Sequence, residues 1–132
     1  MSYRGKRSLE VPGVTHGSAP IPMGARVGNI LMSSAIAGKD PATNQLPADP
    51  ADQPRLAFAN MVTLLQHGGA TLSDVVRVTV LLKDNSLREA VNQEWVKLFP
   101  DPADRPARHV SPTDLGHGML LQLEVMAVIQ DR

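Results

Sequence analysis

The chain contains no cysteine, and this single absence removes disulfide frameworks, thiolate nucleophiles and sulfur metal ligands together. Aromatic residues are scarce, two Phe, one Trp and one Tyr, so a core has to be assembled from Leu, Val, Ile, Ala and Met. Net charge is absent too. Thirteen basic side chains balance thirteen acidic ones, which leaves no positive field to attract phosphate backbones or anionic lipid, and neither nucleic acid nor membrane is an expected partner. The apolar stretches are broken by Gly, Gln or charge well short of the ~20 residues a bilayer-crossing helix needs. Arg4, Lys6 and Arg7 are followed by no apolar run of signal-peptide type, so the expected location is cytoplasmic.

Several motif classes are also missing: no Walker A loop, no dinucleotide glycine fingerprint, no Gly-x-Ser-x-Gly elbow and no HExxH pair occurs. His16, His67, His109 and His117 are scattered without the i, i+4 spacing of a zinc site, so no metal centre is expected. What remains is 42% apolar and 20% charged residues in 132, a globular composition of one-domain length spanning residues 1–132 with an N-terminal arm over 1–13.

Periodicity supplies the elements. Residues 11–24 carry too many Pro and Gly for a helix and read as a structured loop or arm. Gly28-Asn29 suits a tight turn between two strands within 26–34. Residues 38–54, with four prolines, read as an exposed connection. A helix follows over about 52–67, with Phe58, Met61, Val62 and Leu65 as its buried stripe and Gly68-Gly69 as its C-cap. The run VVRVTVLL between Asp74 and Lys83 alternates with period two and predicts a central strand, with Val76, Val78, Val80 and Leu82 on one face. Ser86 and Glu89 match a capping box opening a second helix, whose apolar face is Leu87, Val91, Trp95 and Leu98 and which Pro100 and Pro102 stop. Two strands close the chain, a short one at 108–110 and a long one over 119–129 that sets Leu121, Leu123, Val125, Ala127 and Ile129 on one side. The order β-β-α-β-α-β-β predicts an α+β fold: one mixed sheet, both helices on one face, the other face apolar enough to call for neighbouring subunits.

The candidate chemistry is sparse. Arg108, at the start of a short strand beside a proline-rich loop, is a permanently charged five-donor fork that calls for an anion, either a ligand or one of Asp101, Asp104 and Glu124. Gln122 and Glu124 share one side of the last strand and can present an amide and a carboxylate to one pocket wall, or serve only backbone and charge neutralisation. His117, between two glycines, suits proton transfer if it faces a pocket and is otherwise a solvated turn residue. Asn92 and Trp95 lie at i, i+3 on the second helix, where Trp95 reads as core and Asn92 as surface.

The ordered set VGN (27–29), Ser33-Ser34, GGATLSDVVRVTVLLKD (68–84), VNQEW (91–95), PAR (106–108) and LQLEVMAV (121–128) resembles the RidA/YjgF family, also known by the name endoribonuclease L-PSP, over residues 14–130. The resemblance implies a chorismate-mutase-like α+β fold, a homotrimer whose sheets form an inner barrel, and ligand clefts between subunits. It implies hydrolysis of reactive enamines and imines, as in 2-iminobutanoate/2-iminopropanoate deaminases, to 2-keto acids and ammonia, with no metal or organic cofactor. Arg108 stands where the family grips a substrate carboxylate, the backbone of Val110 where the substrate's nitrogen end is held, and Ser34 and Asn92 where polar residues line or support the cleft. The chain departs from that pattern at three places. Gln122 stands where the deaminases place a glutamate, Ile21 where they place a tyrosine, and Ser34-Ala35-Ile36 where Ser-Gly-Gln is usual. Glu124, His117 and His109 are the candidates to replace the missing base. The expected function is hydrolysis of an enamine, imine or related small acid, divergent from typical 2-aminoacrylate deaminases. The alternative is a catalytically silent trimer that binds a small metabolite, and a ribonuclease comes third.

Overall fold

A computed structural model describes residues 5–131, so residues 1–4 of the expected arm lie outside the described residues. In chain order the elements are β1 (Ser8–Leu9), β2 (Gly24–Val27), β3 (Ile30–Ser33), β4 (Ile36–Ala37), α1 (Gln53–His67), β5 (Val75–Leu82), α2 (Arg88–Leu98), β6 (Ala107–Pro112) and β7 (Leu121–Val128). They form one sheet in the order β1-β2-β3-β7-β5-β6, with β4 running on from β3 along the same edge of β7. Every pairing is antiparallel except β5 with β6, whose strands run the same way because α2 carries the chain back across the sheet.

The core lies between the sheet and the two helices. Leu121, Leu123, Val125, Ala127 and Ile129 all point into it, as the period of two requires, and meet Phe58, Met61, Leu64 and Leu65 of α1 and Val91 and Trp95 of α2. Each Leu, Val, Ile, Phe or Met side chain buried this fully contributes about 1.5–3 kcal/mol relative to exposure. Helix α1 ends as its glycines predict: Gly69 takes φ +78° and the Ala70 amide donates to the Leu65 carbonyl, closing the last turn. Among the described residues no helix covers the opposite face of the sheet, and Ile30 and Met32 stand there 49% and 54% exposed.

Five expectations need correction. Val62 is not part of the buried stripe of α1; Leu64 fills that place, and Val62 faces an outer depression with Glu94 and Lys97. Part of the arm joins the sheet, since Ser8 and Leu9 pair with β2 and Val11 and Val14 are buried behind them. The connection before α1 is not exposed throughout; Gln53 and Pro54 are buried, and Gly38 packs so tightly on the Gln53 backbone that a Cβ would collide with it. A bulge between Val75 and Arg77 shifts the facing of β5, burying Val75 and leaving Val76 47% exposed. Ser86 does not cap α2. The Asp84 carboxylate accepts from the Ser86 amide and hydroxyl and caps a turn over 85–87 that precedes the helix, so the Ser86 hydroxyl is engaged by that carboxylate and α2 itself has no side-chain cap. The Ser86 hydroxyl, and then its amide, hold the Asp84 carboxyl below the ordinary aspartate range.

Candidate functional site

Two groups of polar residues stand out, on opposite faces of the sheet. The first is built around Arg108. Its pairing with Val78, a core residue, points the side chain to the helix-covered side of edge strand β6, toward α2. There the guanidinium lies over the Trp95 ring at 5.0 Å from its centre, and Nη2 donates to Asn92 Oδ1 at 2.8 Å. Trp95 is held in turn against Phe99, ring centres 4.7 Å apart. Among the described residues no Asp or Glu pairs with Arg108; Asp52 pairs with Arg55 and Glu94 with Lys97. The alternative of a resident partner in Asp101, Asp104 or Glu124 is therefore not realised. Nη1 is shielded from solvent and donates to nothing, at a cost of about 1–3 kcal/mol for such a group. Partial burial, and to a lesser degree the neighbouring Arg88 charge, push the guanidinium below its ordinary pKa. This is a cation fixed in place, partly desolvated and lacking an anion.

The second group lines a cavity of about 270 Å³ between the arm, β4 and the turn before β7. Its wall is mostly apolar, with Val14, Met23, Leu46 and Met119, and its polar members include His16, Lys39, His117 and Gln122. Local structure explains each placement. Gly116 to Met119 is a turn closed by the Met119 amide on the Gly116 carbonyl, with φ +62° at His117 and +80° at Gly118, which presents His117 outward. Gln53, buried at the start of α1, ties that turn down by donating to the Gly118 carbonyl at 3.1 Å and accepting from the Leu120 amide at 2.8 Å. Asn60, also buried, donates to the carbonyls of Ala37 and Lys39 and holds the opposite wall. Gln122 Nε2 donates to Met119 Sδ at 3.3 Å, and His16 Nε2 lies 2.7 Å from the Ala35 carbonyl oxygen.

Arg108 and Asn92 are thus brought together, and so are Gln122 and His117. The two pairs are not, because Arg108 is on the helix-covered side and Gln122 on the open one. Gln122 and Glu124 do share a face, yet they do not share a pocket wall: Glu124 lines a separate depression of about 320 Å³ with Arg77 and Thr79. His109 pairs with Thr79 and is exposed, away from the Gln122 cavity. Val110 packs partly against the core on the same side as Arg108. The Ser34 hydroxyl donates to the Pro22 carbonyl at 2.9 Å and so fastens the arm, while Ile21 is 51% exposed beside it. Trp95 proves to be both core and platform for Arg108. His16 and Lys39 were not singled out by sequence, since their neighbours Ala35 and Thr15 lie 19 and 24 residues away and no local pattern marks either contact. Among the described residues no cluster of three His, Asp or Glu side chains is placed to hold a metal, and no helix is long and apolar enough to cross a membrane.

Fold and site together define a small α+β scaffold with an arginine that has no acidic partner at a sheet edge and a mostly apolar cavity on its other face. The family model described as Endoribonuclease L-PSP matches residues 19–129. A RutC family protein of Haemophilus influenzae is 32% identical over 109 residues, 77% of this chain and 81% of that one. A 2-iminobutanoate/2-iminopropanoate deaminase of Escherichia coli is 30% identical over 111 residues, 83% of this chain and 87% of that one. The crystal structure of RidA from the Antarctic bacterium Psychrobacter superposes with a TM-score of 0.83 at 25% identity, covering 94% of this chain and all of that one. The chain belongs to the RidA/YjgF family, whose mixed sheet with two helices on one face it shares.

Proposed function

We propose that the chain is a hydrolase of small 2-imino or 2-enamino acids that works as a cytoplasmic homotrimer, with each ligand held between two copies. Arg108 of one copy grips the substrate carboxylate, and the cavity of the next copy, with Gln122 and His117, receives the rest. The observation that carries this reading is the Arg108 guanidinium, held by Asn92 and Trp95 with a shielded Nη1 and no acid beside it. A carboxylate supplies two parallel charge-assisted bonds to such a fork and fixes the substrate's orientation. Since Arg108 and Gln122 lie on opposite sides of one sheet, their joint use calls for a second copy, and the exposed Ile30 and Met32 give that copy an apolar surface to cover.

In this reading the Val110 backbone lies beside the substrate's nitrogen end, Ser34 and Ile21 shape the mouth of the cleft, and Gln122 orients water or substrate. The reaction calls for neither metal nor organic cofactor. The apolar cavity wall suits a bulkier, less polar side chain than that of 2-aminoacrylate. The related E. coli protein named as a 2-iminobutanoate/2-iminopropanoate deaminase supports the reaction class. The test is release of ammonia and 2-keto acid from imines generated in place by an amino-acid oxidase, with Arg108→Ala as control. Turnover by the native chain that the variant loses is expected, and equal rates for the two would end the proposal. A second reading, a silent metabolite-binding trimer, is favoured by one observation: no carboxylate lines the Gln122 cavity. Ligand-induced thermal stabilisation without turnover would select it.

A further inference from the structure

We propose that His16 is the proton-accepting residue of the cavity that Gln122 lines, a role that rests on the hydrolase reading above. His16 Nε2 lies 2.7 Å from the Ala35 carbonyl oxygen. A carbonyl only accepts, so Nε2 carries the hydrogen, and in the neutral ring Nδ1 is then a bare lone pair. That nitrogen is shielded and has no hydrogen-bond partner among the described residues. Among the described residues the other shielded side-chain nitrogen in this condition is Arg108 Nη1. One orphan is an acceptor on a residue of the cavity wall and the other a donor at the proposed carboxylate site, the two functions that an imino acid and its attacking water require.

The rest of the wall offers no equal. No carboxylate lines the cavity, and the Gln122 amide cannot take a proton. Lys39 Nζ donates to the Thr15 carbonyl at 2.9 Å. His117 stands exposed on its turn and makes no hydrogen bond among the described residues, whereas His16 is fixed. In the reaction, water oxygen bonds to C2 of the protonated imine and the carbon–nitrogen π pair moves onto nitrogen. The proton that this water sheds goes to His16 Nδ1 and then to the nitrogen of the carbinolamine. Cleavage of the carbon–nitrogen bond sends the bonding pair out with ammonia, the hydroxyl oxygen closes the new carbonyl, and its proton leaves with ammonia as ammonium. Because Nδ1 is shielded in the isolated chain, ligand entry has to shift the arm or the ring enough to bring the water to it.

The experiment measures kcat and KM on a leucine-derived imine for the native chain, Arg108→Ala, His16→Gln and His16→Ala, with melting temperatures alongside. His16→Gln retains an amide that can donate to Ala35 and lacks the basic nitrogen; its kcat is expected to fall at least about a hundredfold with KM within about threefold. Added imidazole is expected to restore turnover to His16→Ala by about tenfold or more, which a purely structural role would not allow. Native-like turnover in His16→Gln, or loss in both variants with lowered melting temperature and no rescue, overturns the assignment. If the native chain turns over and Arg108→Ala does not, either of those results removes His16 alone. If the native chain releases no ammonia, the hydrolase reading fails and the His16 role with it.

Discussion

Replacing Arg108 with Met keeps much of the stem that lies on Trp95 and removes the guanidinium. The loss comprises the Nη2 bond to Asn92, about 1.5–3 kcal/mol for a charge-assisted bond, and the ring contact, about 0.5–1 kcal/mol. The gain is relief of a shielded donor without a partner, about 1–3 kcal/mol, and of the repulsion from Arg88. These terms offset one another to within about 1 kcal/mol, which for a chain of this length moves the melting temperature by no more than roughly 4 °C. Affinity for a small 2-keto acid, in contrast, loses two charge-assisted bonds, at least about 3 kcal/mol or roughly a hundredfold. Thermal melting at fixed protein concentration and calorimetric titration measure the two effects separately. A drop in melting temperature beyond about 10 °C would show the guanidinium to be a structural brace, and unchanged affinity would remove it from the ligand site.

Three further outcomes are expected. Asn60→Ala strips the buried carbonyls of Ala37 and Lys39 of their donor and should lower unfolding free energy by about 2–4 kcal/mol, read from the urea midpoint; a loss under about 1 kcal/mol would mean that water replaces the amide. Asp84→Asn should destabilise more at about pH 7 than at about pH 2.5. The folded Asp84 carboxyl is held below its unfolded value of about 3.9, so its contribution is present above that value and disappears as pH falls through the lowered one; a gap in urea midpoint that is the same at both pH values contradicts this. Met32→Lys places a charge on the open sheet face and should convert the proposed trimer to single chains by light scattering, and an unchanged trimer mass would move the interface elsewhere.

Much of the fold was legible because it depends on local periodicity. The alternation in β7 and the Gly68-Gly69 terminator each act over a few residues and formed where expected, and so did the stripe on α1 at Phe58, Met61 and Leu65, with Leu64 in place of Val62. The misreadings share a cause as well. Ser86 and Asp84 are both capping residues two positions apart, and spacing alone does not tell which of them starts a turn. The bulge at Val75 and Arg77 inserts one residue that no alternation can reveal, since Val75 and Val76 are chemically identical. Strands β1 and β4 are two residues long, too short to show a period.

From the sequence alone came the charge-neutral, cysteine-free α+β chain, the helix and strand pattern and the family resemblance, with Arg108 as the residue to watch, because each rests on composition or on short ordered motifs. Tertiary structure decided what those residues can do. It set Arg108 on Trp95 and Asn92 with no acid near it, sent Gln122 and Glu124 to different depressions, and placed His16 in the cavity wall by a contact across 19 residues. Such placements depend on which strands pair and in what register, and the pairing of β7 between β3 and β5 joins residues too far apart in the chain for any local pattern to announce.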